Sequence, residues 1–279
     1  MPELPEVEFG RKLLERVAVG RRIERVRCAD DRIVFAGVAP RTVARALRGR
    51  RVEAARRHGK HLWLELDRRP WPLFHFGMTG SFRVRGDAPL SLESSPREPE
   101  RIWPPRFTKI HLWLDDGAEL VMTNARRLGR IRLRRDPCRE EPLAKLGFDP
   151  LTGMPRLSDF RRRLAERGGA VVKGLLLDQG FAAGVGNWIA DEVLFQAGID
   201  PRRRVRSLSP DEVKALHRAL RGVIRKAVSV DARKERFPRS WLFHARWGRD
   251  DGAALADGTP VEHLTVAGRT TAWVPSRQA

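Results

Sequence analysis

Two adjacent residues at the start of the chain could supply a nucleophile for a sugar carbon and a group that transfers protons. Pro2 follows Met1, and removal of the initiator methionine before this small residue would expose a free secondary amine. Such an amine is a nucleophile toward an aldehyde-like carbon, and an ordinary pKa of about 7.7–8.0 leaves a neutral fraction at physiological pH. Glu3 supplies a neighbouring carboxylate for proton transfer. Pro and Glu are also common at helix N-termini, so these two residues alone favour a structural role.

The charge of the chain indicates a polyanionic partner. The 279 residues carry 55 Lys plus Arg against 35 Asp plus Glu, a formal net charge of +20. The surplus is mostly Arg, whose guanidinium pairs with phosphate through two parallel hydrogen bonds. A genome rich in G and C would raise the Arg content equally well, so composition alone leaves both explanations open.

Several classes of protein are excluded by simple counts. A hydrophobic fraction of 41% excludes a disordered chain. No apolar run approaches the about 18–20 residues of a membrane span, and the acidic start lacks the features of a signal peptide. Cys28 and Cys138 support neither a disulfide framework nor a thiolate zinc site, and the seven His lack metal-ligand spacing. We therefore expect no cofactor and no membrane partner, and a location in the cytoplasm, at the nucleoid or, in a eukaryote, in the nucleus. We also expect a monomer.

The elements that must position these residues change in character along the chain. A helix is predicted over residues 7–19, and the turn Asp115-Asp116-Gly117 between two apolar runs is typical of a hairpin. Many short strands separated by turns are typical of a β-sandwich or barrel. The predicted strands are 22–28, 61–66, 73–76, 110–114, 119–122 and 131–133.

The second half of the chain is predicted to be helical. Ser158 is expected to cap a helix that runs to about residue 167, and a capping box at Ser209–Glu212 opens a long helix to about residue 230. Two shorter helices and a final hairpin are also predicted. The domains are predicted to be a β-sandwich over 1–135, a linker over 136–156, a helical domain over 157–235 and a hairpin over 236–279.

Two longer strings are far more specific than these patterns. The heptapeptide PELPEVE at residues 2–8 and the segment 172–192, with VKGLLLDQG followed by GVGNWIADE, resemble the formamidopyrimidine-DNA glycosylase/endonuclease VIII family. The resemblance extends from residue 2 to about residue 278. It implies an α+β protein with an N-terminal β-sandwich and N-terminal helix, then a helical domain with a helix–two-turn–helix motif and a C-terminal β-hairpin finger.

The resemblance implies roles for three residues in the chemistry. Pro2 becomes the nucleophile at C1′ of a damaged nucleotide, and Glu3 becomes the general acid and base. Lys60 matches a family lysine on a β-hairpin turn that contacts DNA phosphates and assists loss of the base. Without the resemblance, Lys60 after a Gly turn in a basic cluster is more typical of a solvated hairpin tip.

The resemblance also implies residues that replace the extruded nucleotide in the double helix. Met78 matches the residue that fills the vacated stack, a role that suits a flexible apolar side chain between glycines. Arg126 is expected to reach the base opposite, and Leu128 to wedge beside it. Many family members carry Phe at the position of Leu128, so this departure bears on stacking during lesion search and on opposite-base preference.

Further DNA contacts are implied in the second half of the chain. Lys173 and Asn187 lie beside the glycine turns of the helix–two-turn–helix and are expected to donate hydrogen bonds to DNA phosphates. Arg269 is expected to contact a phosphate from the finger. Glu192 is expected to pin the motif from its inner side. Taken alone, a Gly-x-Gly turn before a helix would be weak evidence.

The finger departs from the four-cysteine zinc finger of many family members. One carboxylate among apolar and basic residues makes no tetrahedral thiolate site, so no metal is expected. We expect packing of Trp273 and its neighbours to hold the hairpin, as in the zincless branch and especially its plant-type members. The expected cysteine positions hold Ala254, Asp257, Val274 and Arg277.

The resemblance implies a bifunctional DNA glycosylase and abasic-site lyase of base excision repair. Its expected partner is double-stranded DNA with oxidised bases, formamidopyrimidines and hydantoins, or with abasic sites, processed through a Schiff base at Pro2 and β,δ-elimination. Activity on 8-oxoguanine is expected to be weak because the loop near residues 228–240 is short. The alternatives are an endonuclease VIII-like enzyme for oxidised pyrimidines and a non-catalytic helix–two-turn–helix DNA-binding protein.

Overall fold

A computed structural model describes residues 1–88, 90, 102–247 and 252–279. The chain forms two compact units. The N-terminal unit comprises residues 1–145 and 231–234, and the C-terminal unit comprises residues 146–230 and 235–279. The predicted linker over 136–156 falls on both sides of this division, and the predicted domain limits stay a prediction.

The N-terminal unit contains two four-stranded antiparallel sheets. Their strand orders are β1-β6-β7-β5 and β2-β3-β4-β8. One apolar core takes side chains from both sheets and from the first helix. The bounds are α1 Leu4–Ala18, β1 Ile23–Cys28, α2 Pro40–Leu47, β2 Val52–His58, β3 His61–Leu66, β4 Trp71–His75, β5 Ser81–Val84, β6 Thr108–Leu114, β7 Glu119–Thr123 and β8 Arg130–Arg134.

Local signals explain where the predictions for this unit succeed and fail. The hairpin at Gly117 is confirmed, with the Leu114 N–H donating to Ala118 O at 2.9 Å and Gly117 at φ +82°. Helix α1 begins three residues before the predicted start because a capping box of Glu3 and Glu6 closes its first turn. Helix α2 and strands β2 and β5 were not predicted, although Val43 and Leu47 of α2 are buried at helical spacing and Phe82 and Val84 of β5 at strand spacing.

The C-terminal unit is helical and ends in a hairpin. The long helix has the predicted capping box, in which the Glu212 N–H donates to Ser209 Oγ at 3.2 Å. The predicted cap at Ser158 is wrong, because the helix already begins at Leu157 after Arg156. The bounds are α3 Leu157–Ala165, α4 Val172–Leu177, α5 Asn187–Ala197, α6 Pro210–Ser229, β9 Glu262–Val266 and β10 Arg269–Trp273. In the described ranges, none of the helices combines the length and apolar character needed to span a bilayer.

The finger hairpin, β9 and β10, packs through apolar contacts. Trp273 is buried, with the Arg202 guanidinium 4.5 Å from its ring centroid. Asp257 and Arg277, at two of the expected cysteine positions, form an ion pair instead. Among the residues described, no group of three or more His, Cys, Asp or Glu is arranged to hold a metal ion. The apolar cluster consists of Leu242, Leu255, Val261, Ala272 and Val274.

Candidate functional site

The start of the chain is held rigidly in front of α1. Pro2 and Glu3 are both buried. Glu3 is the N-cap residue, and its backbone N–H donates to Glu6 Oε2 at 2.9 Å while its own side chain accepts from the helix backbone. The capping box therefore fixes the backbone next to Pro2 and keeps a second carboxyl group, that of Glu6, beside Glu3.

Glu6 is a site residue that the sequence analysis did not select. Burial, followed by the negative charge of Glu3, raises the pKa of Glu6 to about 7. A carboxyl group with a pKa near the working pH can both give and take a proton. Its position three residues after Glu3 in the capping box is the sequence feature that identifies it.

The raised pKa of Glu6 predicts a pH-dependent stability. Below about pH 4.5 Glu6 is protonated in both the folded and the unfolded chain, whereas up to about pH 7 mainly the unfolded chain ionises. The free energy of unfolding should therefore fall by about 2 kcal/mol over this range, less than the full shift would give because Glu6 keeps some solvent contact. Denaturant titrations of the wild type and of Glu6→Gln across pH measure this. The difference between the two proteins should change with pH, and parallel curves would contradict the assignment.

A buried ion pair connects α1 to the turn that carries Lys60. Arg57 Nε donates to Glu8 Oε2 at 2.8 Å, and the Arg57 side chain is 1% exposed. Arg57 Nη1 then donates to the Gly59 carbonyl at 3.0 Å. Gly59 has φ +56°, which glycine adopts without strain, and Lys60 follows directly. The Glu8–Arg57–Gly59 link thus sets the position of the Lys60 backbone relative to the helix that begins beside Pro2.

Two neutral histidines lie beside Lys60. The rings of His61 and His75 are 4.7 Å apart between centroids. Burial, followed by neighbouring positive charges that include Lys60, lowers their pKa values to about 3 and about 4. His75 Nδ1 accepts the Gly77 N–H at 3.1 Å, so its remaining proton lies on Nε2. This part of the site therefore has Lys60 as a cation and imidazoles that stay uncharged at neutral pH.

Asn124 joins the two loops that carry the predicted wedge residues. Its Nδ2 donates to Phe76 O at 2.8 Å, and its Oδ1 accepts from Gly129 N–H at 3.0 Å. Asn124 is fully buried, so both bonds are shielded from water. A Cβ added to Gly77 would lie 2.4 Å from the Leu128 carbonyl carbon, which shows how closely the two loops approach. The loops of Met78 and Leu128 are therefore held together as one structure.

Neighbouring arginines in the second loop differ in their surroundings. Arg127 has φ +55°, and its guanidinium donates to the buried carboxylate of Asp31 at 3.1 Å. Burial alone would raise the pKa of Asp31, but hydrogen bonds from Lys109 and Arg127 outweigh it and lower the pKa to about 2. Arg126 is exposed, and Leu128 is 45% exposed. Arg127 therefore anchors the loop, while Arg126 and Leu128 point to solvent.

In the C-terminal unit, Asn187 and the Arg269 strand come together. Asn187 is the first residue of α5, after Gly186 at the N-cap, and Gly184 in the preceding turn has φ +96°. Asn187 Nδ2 donates to Thr270 O at 2.8 Å. Arg269 is the preceding residue and is exposed. The helix start and the finger thus form one surface with polar donors, suited to bind an anion.

The side chain of Lys173 is buried rather than exposed on that surface, and its predicted phosphate contact stays a prediction. Its side chain is 0% exposed, and its Nζ lies 2.6 Å from Asp191 Oδ1. Nζ also donates to Thr271 Oγ1 at 2.5 Å. The sequence pattern could not reveal this, because the partners lie far away along the chain.

Glu192 faces the inside of the C-terminal unit. Its Oε1 accepts from Gln196 Nε2 at 2.8 Å, and its Oε2 accepts from the Phe243 N–H at 2.9 Å. Burial raises the pKa of Glu192 to about 7. The residue thus ties α5 to the segment that precedes the finger.

Comparison with known proteins gives matches along the whole chain. The models of the formamidopyrimidine-DNA glycosylase N-terminal domain and H2TH (helix–two-turn–helix) domain match residues 1–131 and 146–238. The chain is 43% identical to the formamidopyrimidine-DNA glycosylase of Arabidopsis thaliana over 278 residues, 100% of this chain and 71% of that protein. It is 37% identical to the Thermus thermophilus formamidopyrimidine-DNA glycosylase over 290 residues, 100% of this chain and 98% of that protein.

Solved structures share the fold. The crystal structure of the Thermus thermophilus protein aligns with a TM-score of 0.76 at 34% identity, covering 99% of this chain and 98% of that chain. A Lactococcus lactis protein of the same name, in complex with DNA that contains N7-benzyl-Fapy-dG, aligns with a TM-score of 0.79 at 25% identity. That alignment covers 99% of each chain. The likeness confirms the predicted fold class, a β-sandwich followed by a helical domain and a hairpin finger.

Proposed function

The chain belongs to the formamidopyrimidine-DNA glycosylase family, and from that premise we propose that it is a DNA repair glycosylase that also cleaves the strand at the abasic site. The observation that carries this proposal is the start of the chain. Pro2 directly precedes the capping box that Glu3 and Glu6 form, and the pKa of Glu6 is about 7. A nucleophile with adjacent proton-transfer groups is the arrangement that covalent catalysis requires.

The proposed reaction begins after removal of Met1. The amine nitrogen of Pro2 forms a bond to C1′ of the damaged nucleotide, and the bond from C1′ to the base breaks. The proton that the amine loses balances the proton that the leaving base takes up. The C1′–O4′ bond then opens, and O4′ takes a proton from a neighbouring carboxyl group such as that of Glu3. The product is an iminium ion, or Schiff base, between Pro2 and the open sugar. This route divides one difficult substitution into easier steps.

Strand cleavage follows from the iminium. Loss of a proton from C2′ expels the 3′ phosphate in a β-elimination, because the iminium accepts the electron pair. A second proton loss, from C4′, expels the 5′ phosphate in a δ-elimination. Hydrolysis then releases the sugar fragment and restores the amine of Pro2.

Other residues are proposed to hold the DNA. Lys60 would bind phosphates near the reacting nucleotide, with Met78 and Leu128 as wedges and Arg126 directed at the opposite base. Arg269 and Asn187 would bind phosphates from the C-terminal unit. This assignment follows the exposure of Arg126, Leu128 and Arg269 and the joining of the two wedge loops by Asn124.

The substrates are proposed to be formamidopyrimidines, hydantoins and abasic sites in double-stranded DNA. Helix α6 ends at Ser229 and a 3-10 turn begins at Lys234, so the connection between them is only four residues long. Asp231 in this connection is paired with Lys12, with Nζ to Oδ1 at 2.7 Å. We therefore expect formamidopyrimidine to be excised faster than 8-oxoguanine.

A panel of defined duplexes tests the function and the lesion preference together. Each duplex carries one lesion, and the release of base and the strand ends are measured in single-turnover reactions. Release of formamidopyrimidine with phosphate left at both ends of the gap is the expected result. DNA binding without base release would instead support a non-catalytic binding protein, and a preference for oxidised pyrimidines would support the endonuclease VIII-like alternative. Equal rates on formamidopyrimidine and 8-oxoguanine would refute the ranking.

A further inference from the structure

A cluster of buried charged groups joins the helix–two-turn–helix to the finger inside the C-terminal unit. Asp191 on α5 and Lys173 on α4 both have side chains that are 0% exposed. Arg246, which precedes the finger, is 6% exposed. Three charged side chains from three separate segments therefore share one site that is closed to water.

The carboxylate of Asp191 is at the centre of this cluster. Its Oδ1 lies 2.6 Å from Lys173 Nζ, and its Oδ2 accepts from Arg246 Nη2 at 2.7 Å. The same Oδ2 lies 3.2 Å from the backbone nitrogen of Ala272, which donates to it from within β10. Asp191 thus contacts both cations and the strand itself.

Three consecutive residues of β10 are held by this cluster and by its neighbour Asn187. Lys173 Nζ donates to Thr271 Oγ1 at 2.5 Å and to Thr270 O at 3.3 Å. Thr270 O also accepts from Asn187 Nδ2 at 2.8 Å. With the N–H of Ala272 bound to Asp191, the strand is fixed at 270, 271 and 272, immediately after Arg269.

The charge balance explains why a carboxylate is needed at this position. Lys173 and Arg246 are both buried, and Asp191 is the anion in contact with both. Replacing a carboxylate by a neutral group would leave two desolvated cations facing each other, which is strongly unfavourable. The finger is held on one side by its apolar cluster, so the Asp191 cluster supplies a second attachment, to the DNA-binding helices.

We propose that Asp191 is a positioning residue that fixes β10 against α4 and α5 and so sets where Arg269 presents its guanidinium. The proposal rests on the proposed function, because it assigns to Arg269 a phosphate of bound DNA. Asp191 itself is buried and contacts no DNA. Its effect on binding is transmitted through Lys173, Thr271 and the backbone of β10.

The test compares Asp191→Asn with Arg269→Ala and with the double variant. The measurement is the equilibrium Kd for a duplex with a tetrahydrofuran abasic-site analogue, over a series of salt concentrations. We expect Asp191→Asn to raise Kd about ten-fold and to lower the slope of log K against log salt by about one, as the loss of one phosphate contact would. The double variant should bind no more weakly than Arg269→Ala alone. Asp257→Asn, which breaks an exposed ion pair in the same finger, serves as the control and should change neither quantity.

The outcomes separate this inference from the proposed function. The role of Asp191 would be overturned by an unchanged salt slope in Asp191→Asn. It would also be overturned if the fold increases in Kd of the two single variants multiplied in the double variant. Either result would leave the proposed function intact. Failure of the wild type to prefer the abasic-site duplex over undamaged DNA would count against the function itself. Thr271→Val covers the case in which Asp191→Asn does not fold, because it removes one acceptor of Lys173 and keeps the side-chain volume. For Thr271→Val, a smaller rise in Kd that disappears in the Arg269→Ala background would support the proposal. An unchanged Kd would overturn it.

Discussion

Replacing Pro2 with Gly is expected to abolish borohydride trapping of the protein on abasic-site DNA and to slow base release by about 10³-fold or more, as loss of a nucleophile does elsewhere. A secondary amine forms an iminium that is charged without an added proton and therefore withdraws electrons from the sugar at once. The primary amine of Gly gives an imine that must first be protonated. Gly also lacks the ring that restricts φ, so its nitrogen is less firmly held beside Glu3.

A matched proline and a blocked terminus serve as controls for this result. Pro5→Ala alters the first turn of α1 but leaves the amine of Pro2 in place, so the covalent adduct should form. A residue inserted between Met1 and Pro2 that prevents removal of the methionine should abolish the adduct without replacing Pro2. Mass spectrometry of the intact chain identifies the terminus in each case. An adduct of undiminished yield in Pro2→Gly would exclude Pro2 as the nucleophile.

Replacing Arg57 with Met is expected to lower the free energy of unfolding by about 2 kcal/mol, because Glu8 Oε2 loses its buried partner. Glu8 then keeps only the ion pair between its Oε1 and Arg11 Nε, at 2.9 Å. The Arg57 side chain is 1% exposed, and that of Glu8 is 9% exposed. The substitution also removes the hydrogen bond to Gly59 O, so the turn of Lys60 loses its connection to α1. Base release by the folded variant should therefore slow, as measured at a temperature where the variant is fully folded.

The adjacent arginine provides the control for this prediction. Arg56 pairs with Glu65 at 3.3 Å, but its side chain is 57% exposed. Because an exposed ion pair is screened by water, Arg56→Met should cost less than about 0.5 kcal/mol. Chemical denaturation of the two variants under the same conditions makes the comparison. Equal losses of unfolding free energy in the two variants would mean that the buried Arg57–Glu8 pair contributes no more than the exposed Arg56–Glu65 pair. The assigned link from Glu8 to Lys60 would then be wrong.

Local sequence determined much of the fold. Three features were predicted because each depends on residues that are neighbours along the chain. They are the hairpin at Gly117, the capping box at Ser209 and the final hairpin, which turns just before Arg269. The apolar pattern predicts that α1 starts at residue 7, three residues after its actual start. The capping box of Glu3 and Glu6 marks the true start and is also a local signal. Helix α2 and strands β2 and β5 were not predicted either, although the buried residues of α2 and β5 recur at helical and strand spacing.

The site was predicted in part. The strings at residues 2–8 and 172–192 indicated Pro2, Glu3 and Asn187 through a resemblance, and the structure places each at the start of a helix or directly before it. The sequence does not single out Glu6, because a carboxylate in a first helical turn is normally a capping residue and its raised pKa depends on burial that the sequence does not show.

By itself the sequence determined which residue types are available and which family the chain resembles, since both are properties of adjacent residues. The tertiary structure decided which charges face solvent and which are buried. Arg127 is exposed like its neighbour Arg126, but it binds the buried carboxylate of Asp31, 96 positions away. Lys173 is buried and bonded to Thr271, 98 positions away. Such contacts are made only when distant segments pack, because burying a charge is favourable only if its partner is brought to the same place.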